Sequence, residues 1–138
     1  MSKKIIIIGG VAGGATAATR LRRLNEEDHI ILFEKGEYIS FANCGLPYFV
    51  GGEIADRNAL AVQTPASLKA LLNLDVRTGC EALQIDRATR QVEVKYLADG
   101  RHEWIRYDAL MLAPGASPLR PALSGIDEER LVGDPLRI

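Results

Sequence analysis

Cys44 stands in the run Ser40-Phe41-Ala42-Asn43-Cys44-Gly45-Leu46-Pro47-Tyr48, ten positions beyond Glu34, an acid that closes a hydrophobic run behind a glycine-rich turn. That order puts a thiol beside a bound dinucleotide. The thiolate is the nucleophilic form of cysteine, and a helix N-terminus or a neighbouring electrophile lowers its pKa. Residues 36–40 read as a loop and residues 41–50 as the start of a helix, so Cys44 is expected near the positive end of a helix dipole. The plainer reading is a small buried hydrophobe, the usual fate of a free cysteine.

The turn itself is Gly9-Gly10-Val11-Ala12-Gly13-Gly14. Backbone N–H groups at a helix N-terminus hold a pyrophosphate, provided no side chain blocks the approach. Gly9 and Gly14 match the outer glycines of the G-x-G-x-x-G fingerprint, Val11 takes the middle position, and Gly10 and Gly13 add backbone freedom. Glu34 follows Gly14 by twenty residues, where an acid can bond an adenosine ribose hydroxyl. The competing reading is a tight helix–strand contact with a solvated Glu34.

These residues need elements to carry them. Residues 5–8 are four isoleucines, the pattern of a parallel strand covered on both faces. Residues 15–24 are alanine-rich with Leu21 and Leu24 three apart, a helix packed closely on that sheet. Residues 30–34 form the second strand and complete a βαβ unit. Thr64-Pro65 looks like an N-cap followed by proline at the first helical position, opening a helix to about Leu74. Then the periodicity changes to two. Residues 80–86, 91–97 and 101–107 alternate, with Val92, Val94 and Tyr96 opposite Glu93 and Lys95, and turns at 87–90 and 98–100 make a three-stranded antiparallel meander. Residues 108–113 return to a buried strand that stops at Pro114-Gly115, and residues 116–138 carry no clear periodicity. The expected class is α/β, a Rossmann-like parallel sheet flanked by the meander.

The 138 residues suffice for one domain with a core of its own. A net charge of −1 argues against a general nucleic-acid binder. No apolar stretch approaches the roughly 20 residues that cross a bilayer. Two separated cysteines, Cys44 and Cys80, make no disulfide framework and point to a reducing, cytoplasmic setting.

Gly9 to Ala15, Phe33-Glu34-Lys35 and the Ser40–Tyr48 run together resemble the single-cysteine branch of the FAD-dependent pyridine nucleotide-disulfide oxidoreductases. Coenzyme A-disulfide reductases and NADH-dependent coenzyme A persulfide or polysulfide reductases stand nearest; NADH oxidases and peroxidases stand further off. The similarity runs from about Lys4 to about Pro121, and Val11 is compatible with this branch. The resemblance implies that Gly9, Gly10, Val11, Ala12, Gly13 and Gly14 hold the FAD pyrophosphate, that Glu34 takes the ribose with Lys35 beside it, and that Glu81-Ala82 meet the adenine. Ala113-Pro114-Gly115 would turn against the cofactor. Cys44 would face the flavin and cycle between a thiol and a mixed disulfide with coenzyme A or a persulfide, with Asn43 and Ser40 lining the same end.

Arg20, Arg22 and Arg23 read first as a solvated helix face. By the resemblance, Thr16, Arg20 and Arg23 stand near the entry channel for coenzyme A, where an arginine fork matches phosphate geometry. Cys80 reads as a packed strand residue, and His29 and His102 as isolated surface groups that support no metal site. Gly133-Asp134 resembles the family's flavin-contacting Gly-Asp but arrives too early in the chain, and reads as a decoy.

The resemblance further implies that residues 1–138 are the N-terminal part of an FAD-binding domain, without the NADH-binding and dimerisation domains of a homodimeric parent that uses NADH or NADPH. Two functions from different classes follow: an enzyme domain whose parent reduces disulfides or persulfides of coenzyme A, or a non-catalytic nucleotide-binding fragment. A domain of the NADH oxidase or peroxidase type is the nearest enzymatic alternative.

Overall fold

A computed structural model describes residues 2–117 together with 119, 121, 122 and 124; Gly133-Asp134 lies outside the described residues. Strand β1 (Lys4–Ile8) enters helix α1 (Gly13–Leu24), which returns to β2 (His29–Phe33). A short helix α2 (Leu46–Val50) and helix α3 (Pro65–Leu72) follow, then β3 (Asp75–Arg77). The strands β4 (Cys80–Asp86), β5 (Gln91–Tyr96) and β6 (His102–Arg106) form the meander, and β7 (Ala109–Leu112) closes the described elements.

The parallel sheet has the order β3-β2-β1-β7, and the meander is a separate antiparallel sheet in the order β4-β5-β6. Because successive strand side chains point to opposite faces, the isoleucine run splits between two cores. Ile5 and Ile7 meet Ala18, Leu68 and Leu74 on the helical side, while Ile6 meets Val92, Val94 and Ile105 on the meander side. Ile30 and Leu32 of β2 divide from Ile31 and Phe33 in the same way. The sheet is therefore covered on both faces, which is what an uninterrupted apolar strand requires.

The three meander strands lie within one residue of their expected bounds, and Val92 and Val94 are fully buried as their alternation demands. Helix α3 begins where expected, at a Thr64 cap whose hydroxyl accepts from the Ser67 N–H, with Ser67 bonding back to the Thr64 N–H. It stops two residues early, because Asn73 adopts the left-handed conformation.

Four expectations are corrected. The helix expected over residues 41–50 is only a 3₁₀ turn at Asn43–Gly45 followed by the five residues of α2. Phe41 is drawn instead into a bridge with Ala61, and Ser40 takes a left-handed φ of 49°. A fourth parallel strand, β3, was not foreseen. The strand expected to be buried at 108–113 is an edge whose outer residues Ala109 and Leu112 are exposed. Arg22 is buried, not part of a solvated face.

Candidate functional site

The residues expected to hold a dinucleotide collect at the carboxyl ends of β1, β2 and β7, where open α/β sheets place their ligands. Gly9 leaves β1 with φ +94°, and its N–H donates to the Phe33 carbonyl at 2.8 Å. A Cβ on Gly9 would collide with the Ala113 carbonyl, and one on Gly14 with the Gly9 carbonyl. Glycine is needed at both because backbone passes backbone there, not only for access by a ligand. The same packing brings Ala113 against the turn: its N–H donates to the Ile8 carbonyl at 2.8 Å, and Pro114-Gly115 continue exposed beyond it.

Helix α1 opens at Gly13 with no side-chain cap and no acid in its first turn. Ala12 and Gly13 are exposed at that end. Its leading amides are thus left to a ligand, and its twelve residues carry a positive N-terminal dipole end. These residues fit a pyrophosphate.

Glu34 does more than end β2. One carboxylate oxygen accepts from the Gly10 N–H at 2.7 Å and the other from the Gly36 N–H at 2.8 Å. The Glu34 carbonyl also accepts from the Cys80 N–H at 2.9 Å, which fixes the start of β4 beside it. Next along, the Lys35 ammonium lies 2.8 Å from the Glu81 carboxylate, and that hydrogen bond holds the exposed Glu81 carboxyl below its ordinary pKa. Glu34, Lys35 and Glu81 therefore lie together where β2 ends and β4 begins, while Ala82 pairs with Val94 and packs against the meander core.

The cysteine segment is fastened to the same turn. The Ser40 N–H donates to the Gly10 carbonyl at 2.9 Å, the Ala42 N–H to the Leu60 carbonyl at 2.8 Å, and the Val62 N–H to the Ser40 carbonyl at 3.0 Å. Any side chain at Gly45 would strike Leu60, so the cysteine turn lies flat on that buried residue. Cys44 and Asn43 sit exposed in the 3₁₀ turn. Cys44 is thus no core hydrophobe. Cys80 is one: it is 4% exposed, its thiol donates to the Thr78 carbonyl, and burial pushes its pKa up.

Thr16, Arg20, Arg23 and Ser40 all line one cavity of about 380 Å³ between α1 and α3. Thr16, Thr19, Arg20 and Arg23 occupy one face of α1 at intervals of three and four residues. Ala15, Thr19, Gln63 and Leu68 complete the walls, and none of the four is among the substrate-binding residues expected from the sequence. Helical spacing from Thr16 could have found Thr19; nothing local marks Gln63, which precedes the cap of α3 in a loop. Arg22 points elsewhere, donating to four main-chain carbonyls.

A second group of titratable side chains is structural. Asp75, Arg77, Tyr96 and Glu103 link the parallel sheet to the meander: Arg77 grips Asp75 at 2.8 Å and donates to the Tyr96 hydroxyl, which donates to Glu103 at 2.7 Å. Burial pushes the Asp75 carboxyl up, but the hydrogen bond and charge of Arg77, with His29 and Lys69, outweigh it and leave the carboxyl lowered. The Tyr96 hydrogen bond likewise lowers Glu103. His29 and His102 are exposed beside Asp75 and Glu93. Among the described residues no group of three or more metal-ligating side chains is placed to hold an ion.

A parallel sheet with a glycine turn, an acid at the end of its second strand and a helix N-terminus aimed between them defines a dinucleotide-binding α/β domain. The pyridine nucleotide-disulphide oxidoreductase family model matches residues 3–136, and the chain belongs to that family, whose members are FAD-dependent oxidoreductases. It is 44% identical over 117 residues to a coenzyme A disulfide reductase of Staphylococcus epidermidis, covering 85% of this chain and 27% of that protein. Among solved structures, the reduced CoADR-RHD of Bacillus anthracis superposes with a TM-score of 0.87 at 48% identity, over 91% of this chain and 23% of that one. An NAD-dependent persulfide reductase from A. fulgidus gives 0.84 at 38% identity, over 90% and 23%. The chain thus spans about a quarter of the length of these relatives.

Proposed function

We propose that residues 1–138 are the N-terminal part of the FAD-binding domain of a cytoplasmic NAD(P)H-dependent reductase that acts on coenzyme A disulfide or persulfide through Cys44. The observation that carries this reading is the fastening of the exposed Cys44 turn to the dinucleotide turn through Ser40 and Gly10, with Ser40 also lining the cavity that holds Thr16, Arg20 and Arg23. A substrate with a sulfur at one end and phosphates at the other matches that order of groups. The named reductase relatives support it. The NADH-binding and dimerisation domains would lie in the rest of a homodimeric parent.

The glycine turn and the α1 N-terminus would seat the FAD pyrophosphate, and Glu34 and the start of β4 its adenosine half. When bound, the flavin supplies the electron pair taken from NAD(P)H. The Cys44 thiolate attacks one sulfur of coenzyme A disulfide; a Cys44–coenzyme A mixed disulfide forms, the original S–S bond breaks and one coenzyme A thiolate leaves. Two electrons then cleave the mixed disulfide and release the second thiolate.

The first half of this chemistry needs no flavin. Incubated with coenzyme A disulfide, the chain is expected to gain one coenzyme A adduct, located by mass spectrometry on Cys44. An adduct on Cys80 instead, or none, refutes the role of Cys44. In the parent, Cys44→Ser is expected to abolish NADH-driven disulfide reduction while flavin binding persists.

A further inference from the structure

Arg22 is nine-tenths buried and forms no ion pair among the described residues, an unusual state for a permanent cation. Its guanidinium is spent on main-chain oxygens. Nε donates to the Leu72 carbonyl at 2.9 Å, Nη2 to Asn73 at 3.2 Å, and Nη1 to both Asn25 and Glu26. Leu72 and Asn73 end α3, while Asn25 and Glu26 lie just past the end of α1. Two helix C-termini therefore converge on one side chain.

Each C-terminus carries partial negative charge on carbonyls that have no partner within the helix. Arg23, the next residue, lines both the 380 Å³ cavity and a second one of about 360 Å³ that Arg22, Glu26 and Leu71 also border. Without a cation between them, the two carbonyl clusters would repel any anion approaching Arg23. With Arg22 in place they are satisfied and neutralised, and the exposed Arg23 keeps its donors for a ligand.

We propose that Arg22 is a positioning residue for phosphate recognition: by cancelling the α1 and α3 C-termini and tying them together, it makes this end of the groove receptive to the phosphates of coenzyme A. The proposal rests on the reading that the groove takes coenzyme A. The guanidinium itself touches only protein.

The test compares coenzyme A with pantetheine, which shares the thiol arm and lacks every phosphate, by calorimetric titration of the 138-residue chain. Arg22→Gln keeps a donor and loses the charge; Arg22→Lys keeps the charge and loses the fork. The expected result for Arg22→Gln is a fall of about tenfold in the preference for coenzyme A over pantetheine, with flavin affinity unchanged. Arg22→Lys is expected to melt at a lower temperature yet hold that preference within about threefold. A purely structural clamp would weaken both ligands equally and leave the ratio where it was. An unchanged ratio in Arg22→Gln overturns the proposal, as does a tenfold fall of the ratio in Arg22→Lys; if Arg22→Gln fails to fold, Arg22→Met, which also removes the charge, is read by the same two outcomes. Wild-type chain that binds the two ligands equally, or neither, removes the coenzyme A reading itself.

Discussion

Replacing Glu34 should unfold the glycine turn even when no dinucleotide is present. Its two carboxylate oxygens accept from Gly10 and Gly36 at 2.7 and 2.8 Å, and a hydrogen bond to a charged group contributes about 1.5–3 kcal/mol. The two partners differ in what replaces the bond. Gly36 is exposed, so water takes over its N–H; Gly10 is buried, and its N–H would be left without an acceptor. Glu34→Ala should therefore cost about 2–4 kcal/mol, nearly all of it through Gly10. Glu34→Gln can turn its single oxygen toward Gly10 and should cost only about 1 kcal/mol. For a domain of this length, each kcal/mol lowers the melting temperature by roughly 3–5 °C. Circular dichroism melts of the flavin-free chain give the answer directly. A Glu34→Ala chain melting within about a degree of wild type would show that the carboxylate does not hold the turn. Flavin titration of the Gln variant then isolates whatever the ribose adds.

Three further outcomes are expected. Cys44 should alkylate well ahead of Cys80 across a pH series read by mass spectrometry, because one thiol is exposed and the other is buried with its pKa pushed up. Tyr96→Phe should cost about 1–2 kcal/mol in urea unfolding, since it strips a partner from both Arg77 and Glu103 where the meander meets the parallel sheet; no change in midpoint would refute that link. Asp75 and Glu103 have folded pKa values below their unfolded ones, so their stabilisation is complete above about pH 4.5 and is lost as the pH falls through the lowered values. Melting temperature should fall with acid over that window, and Tyr96→Phe, which removes the largest cause of the Glu103 shift, should flatten the slope.

The elements that the sequence announced are those whose signal is local. Alternation places Val92 and Val94 without reference to the rest of the chain, and four isoleucines ending in a glycine pair leave few alternatives to a strand entering a turn. Asp75-Val76-Arg77 offers a single apolar residue, and its pairing with Ile31, Leu32 and Phe33 comes from the hydrophobic seat of Leu74 at the end of α3. The segment after Ser40 misled for the opposite reason. Its apolar content suits a helix, but hydrogen bonds to residues 60–62, some twenty positions on, take the backbone first. Arg20, Arg22 and Arg23 are indistinguishable as residue types. Only the arrival of the α3 C-terminus, fifty residues away in sequence, separates the buried Arg22 from the two that line the groove.

The distant contacts that sequence could not supply are also the ones that connect the two halves of the site. Gly10 gives its N–H to Glu34 and its carbonyl to the Ser40 N–H, so one peptide pair stands between the acid that ends β2 and the cysteine-side loop. A Cβ there would press on Leu32, Ile39 and Glu34, so the residue has no room to shift toward either partner alone. The consequence is that the spacing between the glycine turn and the thiol is set by backbone groups, in which sequence identity enters only through the absence of side chains. Interior backbone packed to this density does not deform continuously. Cys44 is thereby tied to the glycine turn although its own 3₁₀ turn has three residues and the helix after it, α2, only five, so neither contributes much of its own.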